Sequence, residues 1–213
     1  MPRRGVRLRR RKLSGGDGRA QTSGGAGRNK MNIILCGMMG AGKTTIGVKI
    51  AELTGRRWYD TDQMIVDRYG NISDIFEYYG EEYFRRLESD IVKELAKEDN
   101  LIISTGGGLV LKRENNELLQ VNGKIVFLRA ALETLIKRLK VSDDRPLLQA
   151  DSGVIADRLA VLLKERMPVY EHVADFIVDV DGRTAEESAA AVIETLKEAY
   201  LSAAEKTDGA GVR

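Results

Sequence analysis

The sequence predicts an α/β domain in which a five-stranded parallel sheet is flanked by helices in three layers. Three observations carry that expectation. From Met31 onward, short apolar runs alternate with segments of helical period. A glycine loop, Gly37-Met38-Met39-Gly40-Ala41-Gly42-Lys43-Thr44, joins the first apolar run to the first helical one. At 213 residues the chain supports one domain with an ample core.

The first strand is Asn32–Cys36, bounded at once by Gly37. Ile46, Ile50 and Leu53 recur at helical spacing and predict a helix over Lys43–Thr54. A short second strand at 57–59 leads to helices over 63–69, 73–79 and 81–97. The apolar run Leu101–Ser104 is the third strand, followed by a helix over 113–122. A fourth strand at 124–128 precedes helices over 131–140 and 153–173. The fifth strand, 176–180, runs into a last helix over 185–203, leaving 204–213 as a frayed tail. Alternation of this kind implies parallel pairing with right-handed crossovers.

Charge is segregated along the chain. Residues 1–30 hold ten Lys/Arg and one acid, Asp17, a net +9. Of the 34 basic and 32 acidic residues in all, 24 and 31 remain for the body, a net −7. The first 30 residues are Gly-rich, lack aromatics and carry too little apolar surface to fold alone, so they are expected to be disordered. Three readings of them stay open: an extension upstream of a working start at Met31, a basic arm for acidic surfaces, or an Arg-rich targeting or cloning segment. No apolar run reaches the length of about 18 residues that a membrane span requires. The single cysteine, Cys36, excludes an internal disulfide, reads as a small buried hydrophobe, and fits a cytoplasmic location.

The loop at 37–44 matches G-x-x-x-x-G-K-[ST], between a strand and a helix as that motif requires. Its backbone N–H groups, from Gly40, Ala41, Gly42, Lys43, Thr44 and Thr45, would turn toward a phosphate at a helix N-terminus. Lys43 would reach the β- and γ-phosphates of ATP or GTP, and the Thr44 hydroxyl would ligate Mg²⁺. An N-K-x-D base-reading segment is absent, which argues against a GTPase. Asp60-Thr61-Asp62 closes the second strand, where ligands gather in open α/β sheets. On extended backbone, Asp60 and Asp62 would face one way. One would support the metal's water shell and the other accept a hydroxyl proton. The competing reading makes Asp62 the N-cap of the following helix.

Gly106, Gly107 and Gly108 follow the third strand at the same edge and offer bare backbone to a ligand. Arg85 lies on a helix with Glu88 at i+3 to hold its guanidinium. Arg166 ends a long helix. His172 is the only histidine, which rules out a site built from several. Trp58 reads as packing.

Taken together, these motifs resemble the shikimate kinases, from Met31 to about Tyr200. The matching segments are Gly37–Gly47, D-T-D at 60–62, G-E-E-Y-F-R-R-L-E at 80–88, S-T-G-G-G at 104–108, D-R-P-L-L at 144–148, R-x-P-x-Y at 166–170 and A-D-F-I-V-D at 174–179. The resemblance implies the P-loop kinase fold with a mobile lid, and ATP-dependent phosphorylation of shikimate. It makes Asp62 the base that contacts the ring hydroxyls and places Asp60 in the Mg²⁺ shell. It gives the shikimate carboxylate to Arg85, Arg166 and the Gly107 backbone. It also assigns Arg145 to a lid closing over the phosphates, Arg183 to ATP and Arg138 to adenine. A monomer is expected. The alternatives are a gluconate-type small-acid kinase and a nucleotide-binding module without catalysis.

Overall fold

The computed structural model describes residues 31–141 and 152–208. The expectations for residues 1–30, for Arg145 and its lid, and for the last five residues lie outside them.

Five parallel strands form one sheet: β1 (Asn32–Cys36), β2 (Arg57–Asp60), β3 (Leu101–Ser104), β4 (Gly123–Arg129) and β5 (Phe176–Asp179), in the order β2-β3-β1-β4-β5. β1 is central and buried along all its length, as its sequence requires of a strand covered on both faces. It pairs with β3 through Ile33↔Ile102 and with β4 through Ile34↔Ile125. Among the described residues, seven α-helices flank the sheet: α1 (Lys43–Thr54), α2 (Thr61–Tyr69), α3 (Ile72–Leu95), α4 (Arg113–Gln120), α5 (Leu132–Val141), α6 (Ser152–Val173) and α7 (Ala185–Asp208). Right-handed crossovers decide the layers. The one leftward step, β1 to β2, puts α1 on one face, where α7 packs against it. The rightward steps put the intervening helices on the other, where α4 and α6 touch β4. The three-layer α/β expectation holds.

Several boundaries shift from the sequence reading by a residue or two, and three differences are larger or of another kind. The helices expected over 73–79 and 81–97 are one helical segment, α3, interrupted at Gly80, whose backbone (φ 79°, ψ 172°) is not helical. Glycine alone adopts that conformation cheaply, so the break falls where the sequence puts it. α7 continues five residues past 203, because Ala204, Glu205 and Lys206 are strong helix formers and the first breaker is Gly209. A 3-10 turn at Leu109–Leu111 went unforeseen; three residues are too few to show a period.

The core is aliphatic and continuous across the sheet. β1, β3 and β4 contribute Ile34, Leu35, Ile102 and Val126, all fully buried. Close packing beneath the phosphate loop fixes Gly47. A Cβ there would sit 2.5 Å from the Trp58 indole nitrogen and 2.6 Å from Ser104 Oγ. Both neighbours are held: Trp58 Nε1 donates to Ser104 Oγ at 3.0 Å, which donates to the Lys43 carbonyl at 2.9 Å. Gly47→Ala is therefore expected to lower Tm by roughly 4–10 °C, read by a circular-dichroism melt, since overpacking a fixed core forces backbone to move. Among the described residues no helix is long and apolar enough to cross a membrane.

Candidate active site

The carboxyl ends of β1, β2 and β3 are neighbours, so three loops meet at one edge. The loop after β1 carries positive φ at Gly37 (140°), Gly40 (82°) and Gly42 (94°), a region that glycine alone enters without strain. A side chain at Gly37 would also meet the Leu128 carbonyl at 2.7 Å. Gly42 is the residue before α1, so Lys43, Thr44 and Thr45 form its first turn, where N–H groups lack helical acceptors. Lys43 Nζ folds back over this loop and donates to the carbonyls of Gly37 and Met38, 2.9 Å each. Thr44 and Thr45 are exposed. Beneath them Cys36 is fully buried, and burial pushes its thiol up to about 12, so it is inert packing as the sequence implied.

The acid pair is arranged differently from the sequence expectation. Asp60 ends β2 and is the N-cap of α2, its Oδ1 accepting from the backbone N–H of Asp62 at 3.0 Å and of Gln63 at 3.2 Å. Asp62 is therefore helical, and the two carboxylates do not share a face of extended backbone. The cap is Asp60, not Asp62. Helix geometry displaces strand alternation here because α2 starts two residues earlier than its apolar period suggests. The outer oxygen of Asp60 remains on the site and accepts from the Thr44 hydroxyl at 2.7 Å. That contact joins the two residues expected at the metal.

Beyond β3 the chain is tied on two sides. Thr105 donates through N–H and hydroxyl to the Leu35 carbonyl, and Gly106 N–H donates to Thr61 Oγ1 at 2.8 Å. Thr61, fully buried between the two acids, is a positioning residue the sequence did not single out. The three glycines then press against three charged side chains. A Cβ on Gly106 would collide with the Asp62 carboxylate. One on Gly108 would lie 2.5 Å from the Arg85 guanidinium, and one on Gly107 would lie 3.6 Å from that of Arg166. Arg85 is held by Glu88 and by Glu81, 2.8 Å each, as the i+3 spacing predicted for Glu88. Glu88 is nearly inaccessible, and burial pushes its carboxyl above the ordinary range against the opposing pull of Arg85.

Two residues assigned to ATP sit at the far edge of the phosphate loop. Arg138, on α5, donates to the Ala41 carbonyl at 3.1 Å and to the Val180 carbonyl at 2.9 Å. It thus bridges the phosphate loop to the turn after β5, where Arg183 is exposed. Among the described residues, no cluster of three or more His, Cys, Asp or Glu is arranged to hold a metal.

Known proteins resemble this chain along most of its length. The family model described as shikimate kinase matches residues 39–197. A shikimate kinase of Caldicellulosiruptor bescii is 44% identical over 163 residues, covering 76% of this chain and 93% of that protein. The solved shikimate kinase of Acinetobacter baumannii, in complex with shikimate, superposes with a TM-score of 0.73 at 36% identity, covering 79% of this chain and 94% of that one. A gluconokinase of Sinorhizobium meliloti shares the fold at a TM-score of 0.57, with 20% identity and 82% and 98% coverage. Family match, identity and coverage lead to one placement: this chain belongs to the shikimate kinase family.

Proposed function

We propose that the protein transfers the γ-phosphoryl group of ATP to the 3-hydroxyl of shikimate, giving shikimate 3-phosphate and ADP. One observation carries this reading: Gly106, Gly107 and Gly108 pack successively on Asp62, Arg166 and Arg85. Two guanidinium groups and one carboxylate around bare backbone suit a ligand that is itself a carboxylate bearing hydroxyls. A nucleobase offers no carboxylate to meet a guanidinium.

Each residue then has a task. The backbone from Gly40 to Thr45 cradles the phosphates, and Lys43 exchanges its loop carbonyls for phosphate oxygens. Asp62 orients the attacking hydroxyl and accepts its proton. Arg85, Arg166 and the Gly107 backbone hold the acceptor carboxylate. Arg145 acts on the phosphates from the lid, while Arg138 and Arg183 border the nucleotide. Thr44 and Asp60 are hard oxygen donors 2.7 Å apart at a helix N-terminus, which fits Mg²⁺. Thr44 and Asp60 would hold that ion, which would supply positive charge to the phosphates. Phosphoryl transfer asks for position and charge, and no residue need become covalent. The protein works as a monomer in the cytoplasm, with residues 31–203 as the catalytic domain.

The test is ADP release with MgATP, comparing shikimate with gluconate, quinate and nucleoside monophosphates. Turnover with shikimate is expected; turnover with gluconate alone, or ATP binding with no turnover, would overturn the reading. Gly108→Ala probes the acceptor side. Its methyl group must displace a flexible guanidinium rather than backbone, so folding should survive. Shikimate KM is expected to rise about ten- to a hundredfold from the misplaced charge, with ATP KM unchanged, in the same assay.

A further inference from the structure

Tyr170 is buried in α6, one turn beyond Arg166, and nothing in the proposed chemistry uses it. Its ring is stacked on Phe127 of β4, with centroids 5.1 Å apart. That packing would suffice for a phenylalanine. Its hydroxyl, however, donates to the carbonyl of Gly107. The Arg166 guanidinium lies beside it: its charge opposes the upward push of burial on the phenol, and it stands 3.6 Å from where a Cβ on Gly107 would be. The hydroxyl oxygen also lies 3.9 Å from the Met38 sulfur in the phosphate loop. One oxygen therefore joins the glycine loop to the phosphate loop, beside a guanidinium.

We infer that Tyr170 is a positioning residue for the acceptor site, its hydroxyl fixing the Arg166 guanidinium and the Gly107 peptide in one geometry before substrate arrives. Arg166 lies on a helix that follows the undescribed segment 142–151, whereas Gly107 follows β3. No hydrogen-bonded strand pair links those two pieces directly. The shared hydroxyl does. A guanidinium on a long side chain loses several rotamers when it binds, and a fixed partner removes part of that cost beforehand. Burial pushes the Tyr170 phenol up to about 12, so the hydroxyl stays protonated and keeps donating to Gly107 throughout the ordinary pH range.

This inference rests on the proposed acceptor, and its test separates the two. The wild type is first assayed with shikimate; no turnover there sinks the proposed function itself. Tyr170→Phe keeps the ring on Phe127 and removes only the hydroxyl. Shikimate KM and its dissociation constant by calorimetry are expected to rise about tenfold, the value of one buried hydrogen bond. ATP KM should not move. A double-mutant cycle with Arg166→Lys gives the second readout: the hydroxyl's effect should shrink once the guanidinium it holds is gone. Unchanged shikimate affinity would overturn the inference. So would a parallel loss for ATP and shikimate that tracks Tm, the mark of packing alone. Should the Phe variant fail to fold, the wild-type hydroxyl proton is followed by NMR, where its buried bond protects it from exchange. It should shift with shikimate and not with ADP; a resonance indifferent to shikimate would overturn the inference as well.

Discussion

Asp62→Asn is expected to lower kcat with shikimate by about a thousandfold while leaving ATP binding intact, measured by ADP release and by nucleotide calorimetry. The amide keeps the size of the carboxylate and removes its basicity. Its site packs on Gly106 in the first turn of α2, so the substitution asks nothing new of the fold. The competing base is Glu88, which also approaches Gly106, but its side chain is 1% exposed and committed to Arg85 at 2.8 Å. A base must reach the proton it takes. Glu88 gives one oxygen to a guanidinium, and its other oxygen is buried against Gly106. If Asp62→Asn retained full turnover, the base would lie elsewhere and the acceptor site would need to be redrawn.

Lys43→Met is expected to cut kcat by about a hundred- to a thousandfold, the usual loss when one preorganised charge is removed from a phosphoryl or acyl transition state. Methionine keeps much of the aliphatic stem. The carbonyls of Gly37 and Met38, which accept from Lys43 Nζ at 2.9 Å, lose that donor. A melt within a few degrees of wild type, with ADP still bound, would assign the loss to chemistry rather than to a collapsed loop. Equal losses in nucleotide binding and turnover would instead make Lys43 a ground-state anchor.

The sheet was legible because its strands are short, apolar and punctuated by glycine, asparagine or aspartate. β1 and β3 have the bounds expected of them, since Gly37 and Thr105-Gly106 stop them abruptly. The phosphate loop was legible because its conformation demands glycines at fixed spacing. Arg85 and Glu88 were legible from helix geometry alone. The acid pair misled because strand alternation and helix capping compete for the same three residues, and only tertiary structure shows that Asp60 caps. The supports were hidden for a different reason. Thr61, Ser104 and Trp58 act by touching residues distant in sequence: Gly106, Lys43 and Ser104. No periodicity announces such a contact.

The central position of β1 has a consequence for how the chain is made. Its first sheet partner, β3, begins 69 residues later by the register Ile33↔Ile102, and β4 later still. At a synthesis rate of about 5–20 residues per second, the segment Asn32–Cys36 is made roughly 3–14 s before its first partner strand. The glycine loop that follows is equally unsupported until then, because the Ser104 that braces it comes from β3. Nascent chains of this protein therefore carry an uncovered apolar strand through the first half of translation, and that interval is when chaperones would meet it.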